Sequence, residues 1–139
     1  MKIQNRYLFD TGIFSLILSG DSNVRKFVEE ISSGKAELLA CEVNLAEFYA
    51  KTCEKKGRET ADIYYLRIRY QPKITVISPD EESTKKAGQL KCKYRKKVSL
   101  ADCYAAATAT INKAILITTD NNLTEMTNME KIQAKLIPI

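Results

Sequence analysis

Four acidic residues, two at the ends of predicted strands and two in the helices that leave or enter a strand, have the most informative chemistry in the chain. They are Asp10, Glu47, Asp102 and Asp120. Asp10 follows the apolar run Tyr7–Phe9, and Asp120 follows the run Ala114–Thr118, whose continuous apolar character is typical of a strand buried on both faces. Open α/β sheets bind ligands at the carboxyl ends of their strands. The spacing therefore places Asp10 and Asp120 at a ligand-binding edge.

Each of these acids also has a purely structural interpretation. Ser99 and Asp102 have the spacing of a helix capping box, and Asp10 suits a helix N-cap. Glu47 precedes Lys51 by four residues, as in a surface ion pair. Together, however, four carboxylates repel one another and raise each other's pKa unless a cation neutralises them. Oxygen-only ligands suit Mg²⁺ or Mn²⁺.

The chain contains no histidine, which excludes several kinds of active site. A Ser-His-Asp triad, a Cys-His pair, a histidine-based ribonuclease and a His-ligated metal site all require imidazole. Lys and Arg number 22 against 17 Asp and Glu, for a net charge of +5. This balance favours an anionic partner, with RNA or DNA first.

The positive charge is densest in the basic segment, Lys91–Lys97, at the end of a predicted polar helix that Pro79-Asp80 opens. Cations at a helix C-terminus complement its dipole, so a solvated helix end is one interpretation. Contact with the RNA backbone is the other. The candidate RNA-binding residues are Lys93, Arg95, Lys96 and Lys97.

The elements that must position the acids alternate between strands and helices. Five strands are predicted, at Tyr7–Phe9, Glu37–Cys41, Ile74–Ile77, Ala114–Thr118 and Ala134–Ile137. This alternation predicts one three-layer α/β domain over residues 1–139, with a mostly parallel sheet and helices on both faces. If strand one pairs with strand four at the point where the winding reverses, the strand order is 3-2-1-4-5. In the helix before the fourth strand, an apolar stripe is expected along Leu100, Tyr104, Ala107 and Ile111. The opposite face carries Ala105, Ala106 and Ala109, so both sides of this helix could be covered. Residues 123–132 fit a short helix or a loop.

Composition also bears on the compartment and on competing functions. The amino terminus carries no hydrophobic signal region, and no apolar run approaches the ~20 residues of a membrane span, so we expect a cytoplasmic protein. The four cysteines form no C-x-x-C pair and are expected to be reduced. A nucleotide-binding Rossmann protein is disfavoured because the chain has no G-x-G-x-x-G or P-loop motif.

Four segments, in this order along the chain, resemble the PIN-domain ribonucleases and most of all the VapC toxins of type II toxin–antitoxin pairs. They are YLFDTGIF, VNLAEFYAK, VSLADCYAAATA and ILITTD. The resemblance implies that Asp10, Asp102 and Asp120 bind the metal, that Glu47 completes the catalytic acids, and that Thr118 supports the site. Gly12 departs from it, since relatives more often carry Ser or Asn there, and this bears on a secondary polar contact.

The same resemblance implies an Mg²⁺- or Mn²⁺-dependent endoribonuclease that acts as a toxin. It implies a small antitoxin protein as partner, and a homodimer. Two alternatives remain within this interpretation. One is a PIN-domain nuclease of ribosomal RNA processing or RNA turnover, and the other is an inactive module that only binds RNA or a partner. The presence of all four acids argues against the inactive module.

Overall fold

A central sheet carries the candidate acids at one edge. A computed structural model describes residues 5–139, and in this range it contains five strands and seven α-helices. The strands are Asn5–Phe9 (β1), Ala36–Cys41 (β2), Ile74–Ile77 (β3), Ile115–Thr118 (β4) and Ala134–Leu136 (β5). The helices are Thr11–Ser19 (α1), Arg25–Ser32 (α2), Glu42–Lys56 (α3), Arg58–Arg69 (α4), Glu81–Tyr94 (α5), Leu100–Ile111 (α6) and Asn121–Met129 (α7).

The order of the strands confirms the prediction from sequence. The sheet runs β3-β2-β1-β4-β5, and all four neighbouring pairs are parallel. In the β1–β4 pair, Tyr7 lies opposite Ile115 and Phe9 opposite Ile117. Both strands therefore end at the same edge, and the chain leaves them at Asp10 and at Asp120.

Helices cover both faces of the sheet, each over its own hydrophobic core. In β1, Tyr7 and Phe9 enter the core beneath α1–α4, whereas Leu8 enters the core beneath α5–α7. These alternating side chains are at most 1% exposed, as expected for a strand buried on both faces. β1 is thus a central strand of the sheet with a core on each side of it.

Both sides of α6 contribute buried residues, as the alanines of its second face led us to expect. Along the predicted apolar stripe only Ala107 is fully buried, since Leu100 is 50% exposed and Tyr104 and Ile111 are partly buried. The fully buried residues are Cys103, Thr108 and the alanines at 105, 106, 107 and 109. The first turn of α6 lies at the edge of the sheet, where Leu100 faces solvent. Small alanines let the rest of the helix approach its neighbours closely.

Residues 121–129 form a helix, α7, which resolves the choice between helix and loop for that region. The cysteines at 41, 53, 92 and 103 are all free, as expected. No helix in residues 5–139 combines the length and the apolar character needed to span a membrane.

Candidate active site

A buried hydrogen-bond chain joins the ends of β1 and β4. The Thr118 hydroxyl donates to Asp10 Oδ2 at 2.8 Å, and the Asp120 backbone N–H donates to the Thr118 oxygen at 3.0 Å. Thr118 is fully buried and Asp10 is only 5% exposed. Thr118 thus links the two acids through its hydroxyl group.

Three of the acids cap the N-termini of helices, and these three N-termini lie near one another. Asp10 caps α1 through the Thr11 N–H, and Asp120 caps α7 through the Leu123 N–H. Asp102 forms the predicted capping box with Ser99 at the start of α6. The positive ends of three helix dipoles therefore lie beside these carboxylates and offset part of their negative charge.

Glu47 reaches the same neighbourhood from α3. Its Oε1 accepts a hydrogen bond of 2.6 Å from the Thr11 hydroxyl, and the predicted pair with Lys51 is present at 3.7 Å. Because Thr11 also donates its backbone N–H to Asp10 Oδ1 at 2.8 Å, one residue contacts two of the acids. We call Asp10, Glu47, Asp102 and Asp120 the acidic cluster.

Burial and mutual repulsion disfavour the charged forms of two carboxyl groups in the acidic cluster. Burial raises the pKa of Asp10, and the charges of Glu47 and Asp120 raise it further, against hydrogen bonds from Thr118 and Thr11 that lower it. Burial also raises the pKa of Asp102 to about 6, with the charge of Asp10 as the next cause. The local charge is thus more negative than the surrounding protein neutralises, and a cation would relieve it.

The donor set fits a hard divalent cation. In residues 5–139, no three or more Cys, Asp or Glu side chains are already arranged to hold a metal ion. Hydrogen bonds from the protein engage Asp102 Oδ2 and Asp120 Oδ1, which leaves the second oxygen of each carboxylate available. Oxygen donors of this kind suit Mg²⁺ or Mn²⁺. Binding would therefore involve small rotations of these side chains.

Two residues of this region, Thr11 and Asn44, did not emerge from the sequence. Asn44 is fully buried, and its Nδ2 lies 3.4 Å from Thr11 Oγ1 and 3.3 Å from the Ala101 carbonyl oxygen. The sequence does contain a signal for Asn44, because it is a polar residue next to Leu45 on the apolar side of a helix. A polar side chain at such a position needs partners.

Gly12 is explained by a close approach between α1 and the loop after β4. A Cβ atom at this position would lie 2.9 Å from the Thr119 hydroxyl oxygen. Here the absence of a side chain makes room for Thr119, which lies one residue before Asp120.

The basic segment comprises the end of α5 and a 3₁₀ turn over Arg95–Lys97, and its lysines differ in their partners. Lys91 Nζ donates to the Arg95 and Val98 carbonyl oxygens, each at 2.7 Å. Lys93 pairs with Glu130 at 2.8 Å. These two cations thus stabilise the local structure, as the solvated-helix interpretation holds.

A groove of about 300 Å³ lies between the basic segment and α7. Its lining includes Lys93, Tyr94 and Lys97 from the basic segment and Asn122, Met126 and Met129 from α7. None of the residues that line it belongs to the acidic cluster.

Comparison with known proteins identifies a family. A family model described as PIN domain matches residues 7–128. No curated protein sequence matches the chain significantly.

Several solved structures share the fold at low sequence identity. VapBC2 from Rickettsia felis, bound to a DNA fragment from their promoter, has a TM-score of 0.71 at 17% identity and covers 94% of this chain and 98% of that chain. VapBC-1 from nontypeable Haemophilus influenzae has a TM-score of 0.71 at 18% identity, covering 94% and 97%. VapC20 of Mycobacterium tuberculosis, described as a sarcin-ricin loop cleaving toxin, has a TM-score of 0.63 at 14% identity, covering 78% and 84%.

Proposed function

The chain belongs to the PIN domain family, and on that premise we propose that it is a metal-dependent endoribonuclease that acts as the toxin of a VapBC-type pair. The observation that supports this most directly is the acidic cluster. Asp10 is buried at the end of β1 and linked through Thr118 to Asp120, and its pKa is raised. A fold that needed only helix caps would gain nothing from gathering uncompensated carboxylates.

We propose different roles for the residues of the acidic cluster. We assign Asp10, Asp102 and Asp120 to the metal, and Glu47 to the orientation of the attacking water. When bound, Mg²⁺ or Mn²⁺ supplies Lewis-acid activation of water and neutralises charge that builds on the phosphodiester. Thr118 and the Thr11 N–H hold the two oxygens of Asp10 in fixed directions. The Thr11 hydroxyl does the same for one oxygen of Glu47.

RNA is the proposed substrate, and the groove between the basic segment and α7 is the proposed path of the strand. Lys93, Arg95, Lys96 and Lys97 are all exposed. We assign Arg95, Lys96 and Lys97 to phosphate contacts, and Lys93, which is paired with Glu130, to a secondary contribution. Such contacts are independent of sequence and weaken as the salt concentration rises. Because one structural neighbour is described as a sarcin-ricin loop cleaving toxin, ribosomal RNA is the first substrate to test. We place this reaction in the cytoplasm, with residues 1–139 forming one PIN domain.

A small antitoxin protein is the proposed partner, and a homodimer the proposed assembly. VapBC complexes are among the structural neighbours. A crevice with several carboxylates is a good receptor for an inserted Arg or Lys side chain. The exposed apolar side chains Ile63, Leu66 and Tyr70 supply area for a protein contact. Light scattering on the chain alone and with a candidate antitoxin would measure both assemblies.

The function is tested by incubating the purified chain with end-labelled ribosomal RNA fragments in Mg²⁺, in Mn²⁺ and in excess EDTA. We expect cleavage only with metal. Attack by water with a leaving 3′ oxygen yields 5′-phosphate and 3′-hydroxyl ends, whereas a contaminating ribonuclease that uses the 2′-hydroxyl leaves a cyclic phosphate. Cleavage that continues in excess chelator, or cyclic phosphate products, would rule out the proposed mechanism. Asp10→Asn is the matched inactive control.

A further inference from the structure

Asn44 lies where three helices meet beside the acidic cluster. It is fully buried in the first turn of α3, between the start of α1 and the start of α6. Its side-chain Nδ2 is 3.4 Å from the Thr11 hydroxyl oxygen and 3.3 Å from the carbonyl oxygen of Ala101, the residue before Asp102. One amide group thus joins the two helices that carry Thr11 and Asp102.

The polarity of these contacts determines where the Thr11 proton goes. An amide nitrogen only donates, so the Thr11 hydroxyl accepts from Asn44 and has its single proton left to donate. Glu47 Oε1 is 2.6 Å from that hydroxyl, whereas the Asn44 backbone oxygen is 3.4 Å away. Asn44 therefore directs the Thr11 hydroxyl toward Glu47.

The other end of the amide has no protein partner. Asn44 Oδ1 is, within residues 5–139, the sole buried side-chain oxygen or nitrogen without a hydrogen bond. Leaving a buried polar atom unpaired destabilises the folded state, so an apolar side chain would suit a position that only fills space. An ordered water is the usual partner of such an atom.

We propose that Asn44 is a positioning residue that couples Glu47 to the helix carrying Asp102, with an ordered water on its Oδ1. This inference rests on the proposed function for its catalytic consequence. Through Thr11 the amide sets the direction of the Glu47 carboxylate, and through the Ala101 carbonyl it sets the place of the first turn of α6. Asn44 itself contacts neither the substrate nor the metal.

Asn44→Asp is the sharpest test because it keeps the shape and replaces a donor with an acceptor. We expect kcat to fall by about tenfold or more, because small misplacements of catalytic groups slow the chemical step strongly. KM should stay within twofold of the parent. The Kd for Mn²⁺, measured by titration without RNA, should rise by a similar factor. Thr108→Val is the matched control, since Thr108 is equally buried on α6 and contacts Cys41 rather than the acids. It should leave kcat and the Mn²⁺ Kd unchanged.

A double-mutant cycle separates positioning from general loss of stability. Asn44→Ala and Thr11→Val should be strongly non-additive in kcat, whereas Asn44→Ala and Thr108→Val should be additive. If Asn44→Asp does not fold, Asn44→Ala, which buries no charge, takes its place in the Mn²⁺ titration. Parent-like kcat and Mn²⁺ affinity in a folded Asn44 variant would overturn the inference.

A crystal structure of the Asn44→Asp protein gives a readout that depends on neither RNA nor metal. We expect Thr11 Oγ1 to turn from Glu47 toward the new carboxylate. If the 2.6 Å contact between Thr11 and Glu47 persists, the positioning role is wrong even when the parent is an active ribonuclease. If the parent cleaves no RNA but Thr11 turns as expected, the proposed function fails and the positioning role stands.

Discussion

The acidic cluster and the basic segment carry opposite charges, and the protein accommodates those charges in opposite ways. In the acidic cluster, hydrogen bonds hold like charges close together, and the pKa values of Asp10 and Asp102 are raised. In the basic segment, Lys91 and Lys93 donate to oxygens of the protein itself. The pKa of Glu130, the partner of Lys93, is lowered by the hydrogen bond from that lysine.

This contrast separates charges that stabilise the fold from charges that strain it. An ion pair such as Lys93–Glu130 contributes at most a modest stabilisation, whereas a buried carboxylate beside another destabilises the native state. Strain of this kind is expected where a ligand supplies the missing opposite charge. The density of charge in the sequence is therefore a weaker guide to a site than the way the fold accommodates it.

The largest expected effect comes from Asp102→Asn, which removes one charge of the acidic cluster. The amide keeps some ability to cap α6 but is a poor ligand for a divalent cation, so RNA cleavage should fall by about two orders of magnitude or more. The fold should survive, as thermal unfolding would show. Asp21→Asn is the control, since Asp21 is also an N-cap and lies outside the acidic cluster. Full activity in folded Asp102→Asn protein would refute the assignment of the site.

A smaller effect is expected when Lys93, Arg95, Lys96 and Lys97 are all changed to Gln. RNA affinity should drop by about tenfold or more, and the salt slope should flatten by about two, because each phosphate contact contributes roughly 0.7 for single strands and Lys93 is already paired. Antitoxin binding should change much less, since it is directed at the acids.

The matched control for this variant neutralises four cations at the opposite edge of the sheet. These are Lys55, Lys56, Arg58 and Lys73, which are all exposed. Both ligands are titrated against both variants at two salt concentrations. If the two variants lose RNA affinity equally, net charge rather than the basic segment holds the strand.

The next effect concerns the free energy of unfolding without metal, which should differ between the parent and Asp102→Asn in a way that depends on pH. The pKa of Asp102 in the folded state, about 6, lies above its ordinary value of 3.8. Between these values the folded state binds more protons than the unfolded state, so this carboxyl contributes stability at low pH that is lost as the pH rises through 6. The amide of Asp102→Asn does not titrate, so the variant loses no stability as the pH rises through 6. It should therefore be more stable than the parent at pH 7, by about 1–2 kcal/mol. Urea unfolding at pH 4 and pH 7 in EDTA would measure the difference, and an equal gap at both pH values would contradict it.

The smallest effect is expected for Lys91→Met, which tests the structural side of the contrast. Loss of two hydrogen bonds from a partly exposed lysine to backbone carbonyls should lower the free energy of unfolding by about 1 kcal/mol or less. RNA affinity and its salt slope should stay near those of the parent. A large loss of RNA affinity without a loss of stability would show that Lys91 contacts RNA and is not a structural residue.

Much of this arrangement could be predicted from sequence because it depends on local pattern and on general rules of topology. Alternating strands and helices indicate a parallel sheet, and such a sheet brings Asp10 and Asp120 to one edge. The exposure of Leu100 on the predicted stripe of α6 could not be predicted, since the hydrophobic pattern does not show where the first turn of the helix leaves the core. Asn44 escaped prediction because its partners, Thr11 and Ala101, lie 33 and 57 residues away. The same holds for Lys93 and Glu130, which are 37 residues apart.

Gly12 and Thr119 share one small volume, which makes the effect of a change at either position depend on the other. With Thr119 in place, a serine or asparagine at position 12 would bring its Cβ within 2.9 Å of the threonine oxygen. The Thr119 side chain would then have to rotate, or the loop leading to Asp120 would have to shift. If position 119 first became glycine, the same serine would meet an open space. The order in which two such substitutions arise therefore decides whether the intermediate protein keeps its acids in place, so the single change at position 12 is a poor guide to the pair.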